Sequence, residues 1–112
     1  MTALAPSMFE ILAALAAGPL HGYAIAKRIV ELHDHRVRSM GPATLYSSIQ
    51  RLEEMGFLEE LEAAGEDSRR KTYRLTSAGV SALSEAFSSQ RRFLERVSSS
   101  FSPDVSTLGG AQ

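Results

Sequence analysis

The sequence predicts a mostly α-helical fold with one small β-hairpin. Three observations carry that expectation. Apolar residues recur at helical spacing in three successive segments before residue 58. Two short strand-forming runs, FLEELE (57–62) and KTYRL (71–75), flank the turn-rich AAGEDSRR. A heptad stripe then follows through the last third of the chain. Three helices, a two-stranded wing and a long final helix describe a winged helix-turn-helix carrying a C-terminal dimerisation helix.

The first helix is expected from about Met8 to Ala17, with Ser7 and Glu10 matching an S-x-x-E capping box after Pro6. Gly18 and Pro19 would end it. Met8, Phe9, Ile11, Leu12 and Leu15 leave Glu10 as its one charge. A helix apolar on all sides needs burial on more than one of them, and a second subunit would supply it. The second helix fits His21 or Gly22 to about His33, with Ile25, Ile29 and Leu32 as its inner stripe. The polar HDHRVRSM (33–40) reads as a loop.

The third helix starts at Pro42, where a missing N–H costs nothing. Gly56 suits its C-terminal cap. Leu45, Ile49 and Leu52 would face the core, while the outer face carries small or neutral Ala43, Thr44, Ser47 and Gln50. After the hairpin, Thr76 or Ser77 can cap the last helix. Val80, Leu83, Phe87, Leu94, Val97 and Phe101 form its heptad seam, with Gln90 at the one polar position. The Ser/Gly-rich tail from Ser98 is expected to be frayed or disordered. The expected division is a winged-helix DNA-binding domain over 1–76, a dimerisation helix over 77–101 and a disordered tail over 102–112.

With 112 residues the chain suits one domain, and its 44% apolar content suffices for a modest core. A chain this short leaves much surface exposed, which a dimer would relieve. No cysteine is present, so disulfides and thiolate metal sites are excluded. Neither a secretory signal nor a membrane-length apolar run stands out, so a cytoplasmic protein without membrane contact is expected. Net charge is −1, which does not by itself point to nucleic acid. The distribution says more. Residues 53–67 hold seven acids and no base, and residues 69–74 hold Arg69, Arg70, Lys71 and Arg74 and no acid. Such segregation can steer a polyanion to one edge.

Three stretches together resemble the PadR family of transcriptional regulators. HGYAIAKRI (21–29) resembles the family's second helix, PATLYSSIQRLEEMGFL (42–58) its recognition helix, and RRKTYRLTSAG (69–79) the second wing strand and the turn into the last helix. The resemblance spans residues 7–97 and is closest to the compact branch, in which one long helix dimerises. It implies a homodimer that binds double-stranded operator DNA, usually as a repressor. It also implies that some members answer to a small-molecule effector, often at the dimer interface. With no tryptophan here, a stacked-indole drug cavity known in some relatives is not available.

A winged helix of this kind would place its third helix in the major groove, about 12 Å wide, with N-terminal residues at the base edges. Small Ala43, Thr44 and Ser47 permit close approach, Ala43 meeting a thymine methyl, and Gln50 can pair with adenine. The helix N-terminus itself favours a phosphate. Tyr46 can pack its ring inward and reach a phosphate with its hydroxyl, or simply face water. Arg51 is the best-placed cation of this helix, unless an i,i+3 pair with Glu54 holds it. Arg69, Arg70 and Lys71 at the wing tip would touch phosphates or the minor groove, or balance Glu66 and Asp67. Lys27 would flank the phosphates from the second helix, or be solvated. Tyr73 is expected under the wing.

Dimerisation is assigned to Met8, Phe9, Ile11 and Leu12 of the first helix, against Val80, Leu83, Phe87, Leu94 and Val97 of the partner's last helix. Two recognition helices would then stand about 34 Å apart, one turn of DNA, over a pseudo-palindrome. His33, Asp34 and His35, with His21, alternate as chelators might but lack a fourth ligand. No metal or cofactor is expected, and no nucleophile–base–orienter set proposes an enzyme. The competing reading is a winged-helix protein-interaction module without DNA binding.

Overall fold

The computed structural model describes residues 4–61 and 71–101. The element order is α1 (Pro6–Ala14), β1 (Leu20–His21), α2 (Gly22–Leu32), α3 (Pro42–Glu54), β2 (Leu58–Leu61), β3 (Thr72–Leu75) and α4 (Ser77–Ser100). The fold is a winged helix with a small antiparallel sheet and a long last helix.

α1 is the centre of the packing. It touches α2, α3 and α4, so most of its apolar surface is covered from within the chain, Phe9 and Ala13 excepted. Ile11 and Leu12 are fully buried, and Met8 nearly so. Assigning Met8, Ile11 and Leu12 to a subunit interface is therefore corrected: they have no surface left to offer. Phe9 remains partly exposed. The capping box is corrected too. Pro6 occupies the first turn after the N-cap Ala5, and no side chain caps the helix. Ser7 instead shares a hydrogen bond of 3.1 Å with Ser48 of α3, while Glu10 is bonded to His33 at the end of α2. The helix closes at Ala14, three residues earlier than its composition suggests.

Ile25, Ala26 and Ile29 carry the inner face of α2, but Leu32, expected beside them, is 50% exposed. Leu45, Ile49 and Leu52 of α3 are buried as their spacing predicts. Gly56 follows α3 at φ 81°, a left-handed conformation that suits glycine. Thr76 caps α4 by accepting from Gly79 N at 3.0 Å, and its hydroxyl donates to Gly56 O at 2.6 Å. One side chain thus joins the end of α3 to the start of α4.

The wing has three strands, not two, in the order β1-β3-β2. β1 is only two residues long, too short for any periodicity to reveal, and it forms because the free edge of β3 accepts it. His21 Nδ1 and Thr72 Oγ1 add a side-chain bond of 3.0 Å across that pair.

The first half of α4 packs on this body through Gly79, Ala82 and Leu83. Every residue from Phe87 to Phe101 is exposed. The helix stays regular through Ser100, so the expected fraying from Ser98 is corrected for residues 98–100. The expected tail, 102–112, lies outside the described residues.

Candidate nucleic-acid interface

α3 owes its two faces to its periodicity. Leu45, Ser48, Ile49 and Leu52 point into the body. Ala43, Thr44, Tyr46, Ser47, Gln50 and Arg51 are all exposed. The slim outer face foreseen for the groove is thus open to a ligand along its length. Gly41 is the N-cap and Pro42 opens the first turn, with no side-chain cap, leaving the first amides of the helix pointing outward. Ser47 donates its hydroxyl proton to Thr44 O at 3.2 Å. Its oxygen keeps its lone pairs available to accept. Arg51 makes no ion pair with Glu54: no described carboxylate lies within 4.0 Å of it.

Tyr46 lies across the start of α2. A Cβ added at Gly22 would fall 2.6 Å from the Tyr46 hydroxyl, so glycine is what lets the phenol's polar end approach there. The ring is 48% exposed. Tyr73, by contrast, is buried under the wing as expected. Burial pushes its hydroxyl up to about 12, with the charges of Glu53, Glu60 and Tyr46 adding to it. Glu53 is also raised, first by loss of solvent and then by Glu60, against the opposing pull of Lys71.

The wing rearranges the charge that the sequence segregates. β2 and β3 pair with Glu59 opposite Arg74 and Glu60 opposite Tyr73. Arg74 meets Glu59 at 3.3 Å and Lys71 meets Glu60 at 3.8 Å. Two acids of the acidic run thus lie on two bases of the basic one, and that part of the separated charge is cancelled. Both pairs are well exposed, so solvent leaves them weak and exchangeable. Arg69 and Arg70 lie outside the described residues. Lys27 is exposed on α2, and Arg28 beside it pairs with Glu31 at 3.4 Å.

His33 is taken by Glu10, and the described residues contain no group of three His, Asp or Glu side chains placed to hold a metal. Nor is any described helix long and apolar enough to cross a membrane. On the far side of the body, Phe9, Ala13, Leu32, Val80, Leu83 and Phe87 line an apolar groove of about 920 Å³ between α1, α2 and α4. A second groove of about 540 Å³ follows the other flank of α4 and also includes Phe9. Beyond them Leu94 and Val97 stand in solvent, joined by Phe93, which the heptad pattern leaves out. Tyr23 was also not singled out by its spacing. It is 79% exposed at the start of α2, and a large ring one residue from the buried Gly22 was its only signal.

The family model described as the transcriptional regulator PadR-like family matches residues 11–85. The chain is similar to a transcriptional regulator from Clostridium thermocellum: 29% identity, 85% of this chain and 88% of that one covered, TM-score 0.69. It is likewise similar to a PadR family regulator from Clostridium difficile, at 25% identity over 87% of this chain and 98% of that one, TM-score 0.69. The PcaV regulator of Streptomyces coelicolor shares the fold, with 19% identity, TM-score 0.76, and 95% of this chain and 71% of that one covered. A 37.1 kDa protein of a Streptomyces fradiae transposon is 40% identical over 94 residues. That match takes in 84% of this chain but only 26% of the relative, so the chain spans about a quarter of it. The segment matched by the family model runs from the core of α1 through α2, α3, β2 and β3 into α4. The chain belongs to the PadR-like family of transcriptional regulators.

Proposed function

We propose that this regulator binds a pseudo-palindromic operator as a homodimer and represses from it. The observation that carries the reading is the outer face of α3: Ala43, Thr44, Ser47 and Gln50 are small or neutral, and all are exposed. That face fits a groove about 12 Å wide. Ser47 as acceptor and Gln50 as a bidentate partner would read base edges, while Arg51, Lys27, Lys71, Arg69 and Arg70 would bind phosphate. The homodimer is supported by the exposed seam of Val80, Phe87, Leu94, Val97 and Phe101. A second copy of α4 would cover that seam and fill the two grooves beside it, with Phe9 common to both. A small-molecule effector that relieves binding would act at this interface.

A binding selection on random duplex DNA tests the reading. An enriched two-fold symmetric motif is expected, with half-sites one helical turn apart. Affinity should fall steeply with salt, the slope set by about 0.9 for each phosphate neutralised. Ser47→Ala and Gln50→Ala should each change the preferred motif, at a cost of about 1–3 kcal/mol per lost base contact. The cancelled wing charges, Arg74 with Glu59 and Lys71 with Glu60, favour one competing reading, a winged helix that docks a protein. No enrichment, and no salt-dependent binding to any duplex, would leave that reading standing.

A further inference from the structure

A recess of about 570 Å³ lies between the start of α2, the flank of α3 and the beginning of β3. That is far beyond the ~30 Å³ share of one water, so it admits a group the size of a sugar-phosphate. Its walls include the side chains of His21, Tyr23, Tyr46, Lys71 and Tyr73. Among the described residues no carboxylate lines it, and Glu60 approaches only the Lys71 ammonium, at 3.8 Å. A concave surface furnished with an ammonium and phenols suits an anion.

Three details show that its polar ends are open to a ligand. Gly22 is buried, and any side chain there would collide with the Tyr46 hydroxyl. Lys71 is tethered only loosely, 3.8 Å from Glu60, with both side chains in solvent. Tyr23 holds a ring 79% exposed at the mouth, where packing gives it no role.

We propose that this recess binds one phosphodiester of the DNA backbone, gripped jointly by the Tyr23 and Tyr46 hydroxyls and the Lys71 ammonium. The inference rests on the DNA-binding reading and names a contact within it. A helix in the major groove and a wing beside it are separated by a single phosphate ridge of the duplex. That ridge must pass between α3 and β3, where the recess lies. Tyr23 then anchors the duplex without reading its sequence, because phosphates carry no base identity.

The test uses the full chain, a labelled random-sequence duplex and a duplex from the selection, with affinity measured by anisotropy across a salt series. Tyr23→Phe removes one hydroxyl from an exposed ring. It should weaken both duplexes roughly 10-fold, as loss of a hydrogen bond to a charged group does, and leave the salt slope unchanged because the group is neutral. Lys71→Met should lower the slope by about 1 for each subunit engaged. The double variant should lose less than the sum of the two single losses, since both groups hold one phosphate. Tyr23→Phe binding as tightly as the parent would overturn the assignment, and so would a loss confined to one sequence or strict additivity. A parent protein that binds neither duplex at low salt would instead sink the DNA-binding reading itself.

Discussion

Among the three tyrosines, Tyr73 is hidden under the wing while Tyr23 and Tyr46 stand in solvent. The difference has a measurable consequence. Burial, then the charges of Glu53, Glu60 and Tyr46, move the Tyr73 hydroxyl from its ordinary 10.0 up to about 12. As pH rises from 10 towards 12, the unfolded chain releases a proton that the folded chain keeps. Stability therefore falls with rising pH across that window, by about 2–3 kcal/mol for this group once pH reaches 12. Tyr73→Phe should flatten that alkaline limb in denaturation curves taken at stepped pH. A limb as steep as the parent's would show that Tyr73 ionises as freely in the fold as outside it.

At the level of elements, the contact between α4 and the end of α3 is set by one missing methyl group. A Cβ at Gly79 would fall 2.0 Å from the carbonyl oxygen of Phe57. That carbonyl already accepts from Thr76 N at 3.1 Å, so it is not free to turn away. Alanine is the better helix former by about 1 kcal/mol, yet displacing a fixed backbone group costs about 1–3 kcal/mol or more. Gly79→Ala should therefore destabilise the protein despite its helical position, read as a lower denaturation midpoint. A raised midpoint would mean that α4 can shift off Phe57 at no cost.

The whole molecule is a compact body with half a helix left over. α4 has 24 residues, roughly 36 Å at helical rise, and its residues from Phe87 onward touch solvent. An isolated helix shorter than ~12–15 residues is marginal in water, so a segment of this length carrying Phe87, Phe93, Leu94 and Val97 calls for a covering surface. In the proposed dimer, Leu94→Asp should turn a dimer into a monomer by sedimentation and reduce the helical signal. Because Leu94 is 63% exposed within the chain, the change leaves the core intact, and a dimer that persisted would remove the seam from the interface. The residues by themselves determined what depends on near neighbours. The stripe of Leu45, Ile49 and Leu52, the outward Ala43, Thr44, Ser47 and Gln50, a cap at Thr76 or Ser77 and the Gly56 stop all follow from spacing and local hydrogen bonding within one or two turns. Only the tertiary structure decided what depends on residues far apart in the chain. It put α1 at the centre, withdrew Met8, Ile11 and Leu12 from any interface, recruited Leu20 and His21 as a third strand, and laid Glu59 against Arg74. Periodicity reports which face of an element is apolar, but the surface that covers that face is chosen by how the elements pack in space.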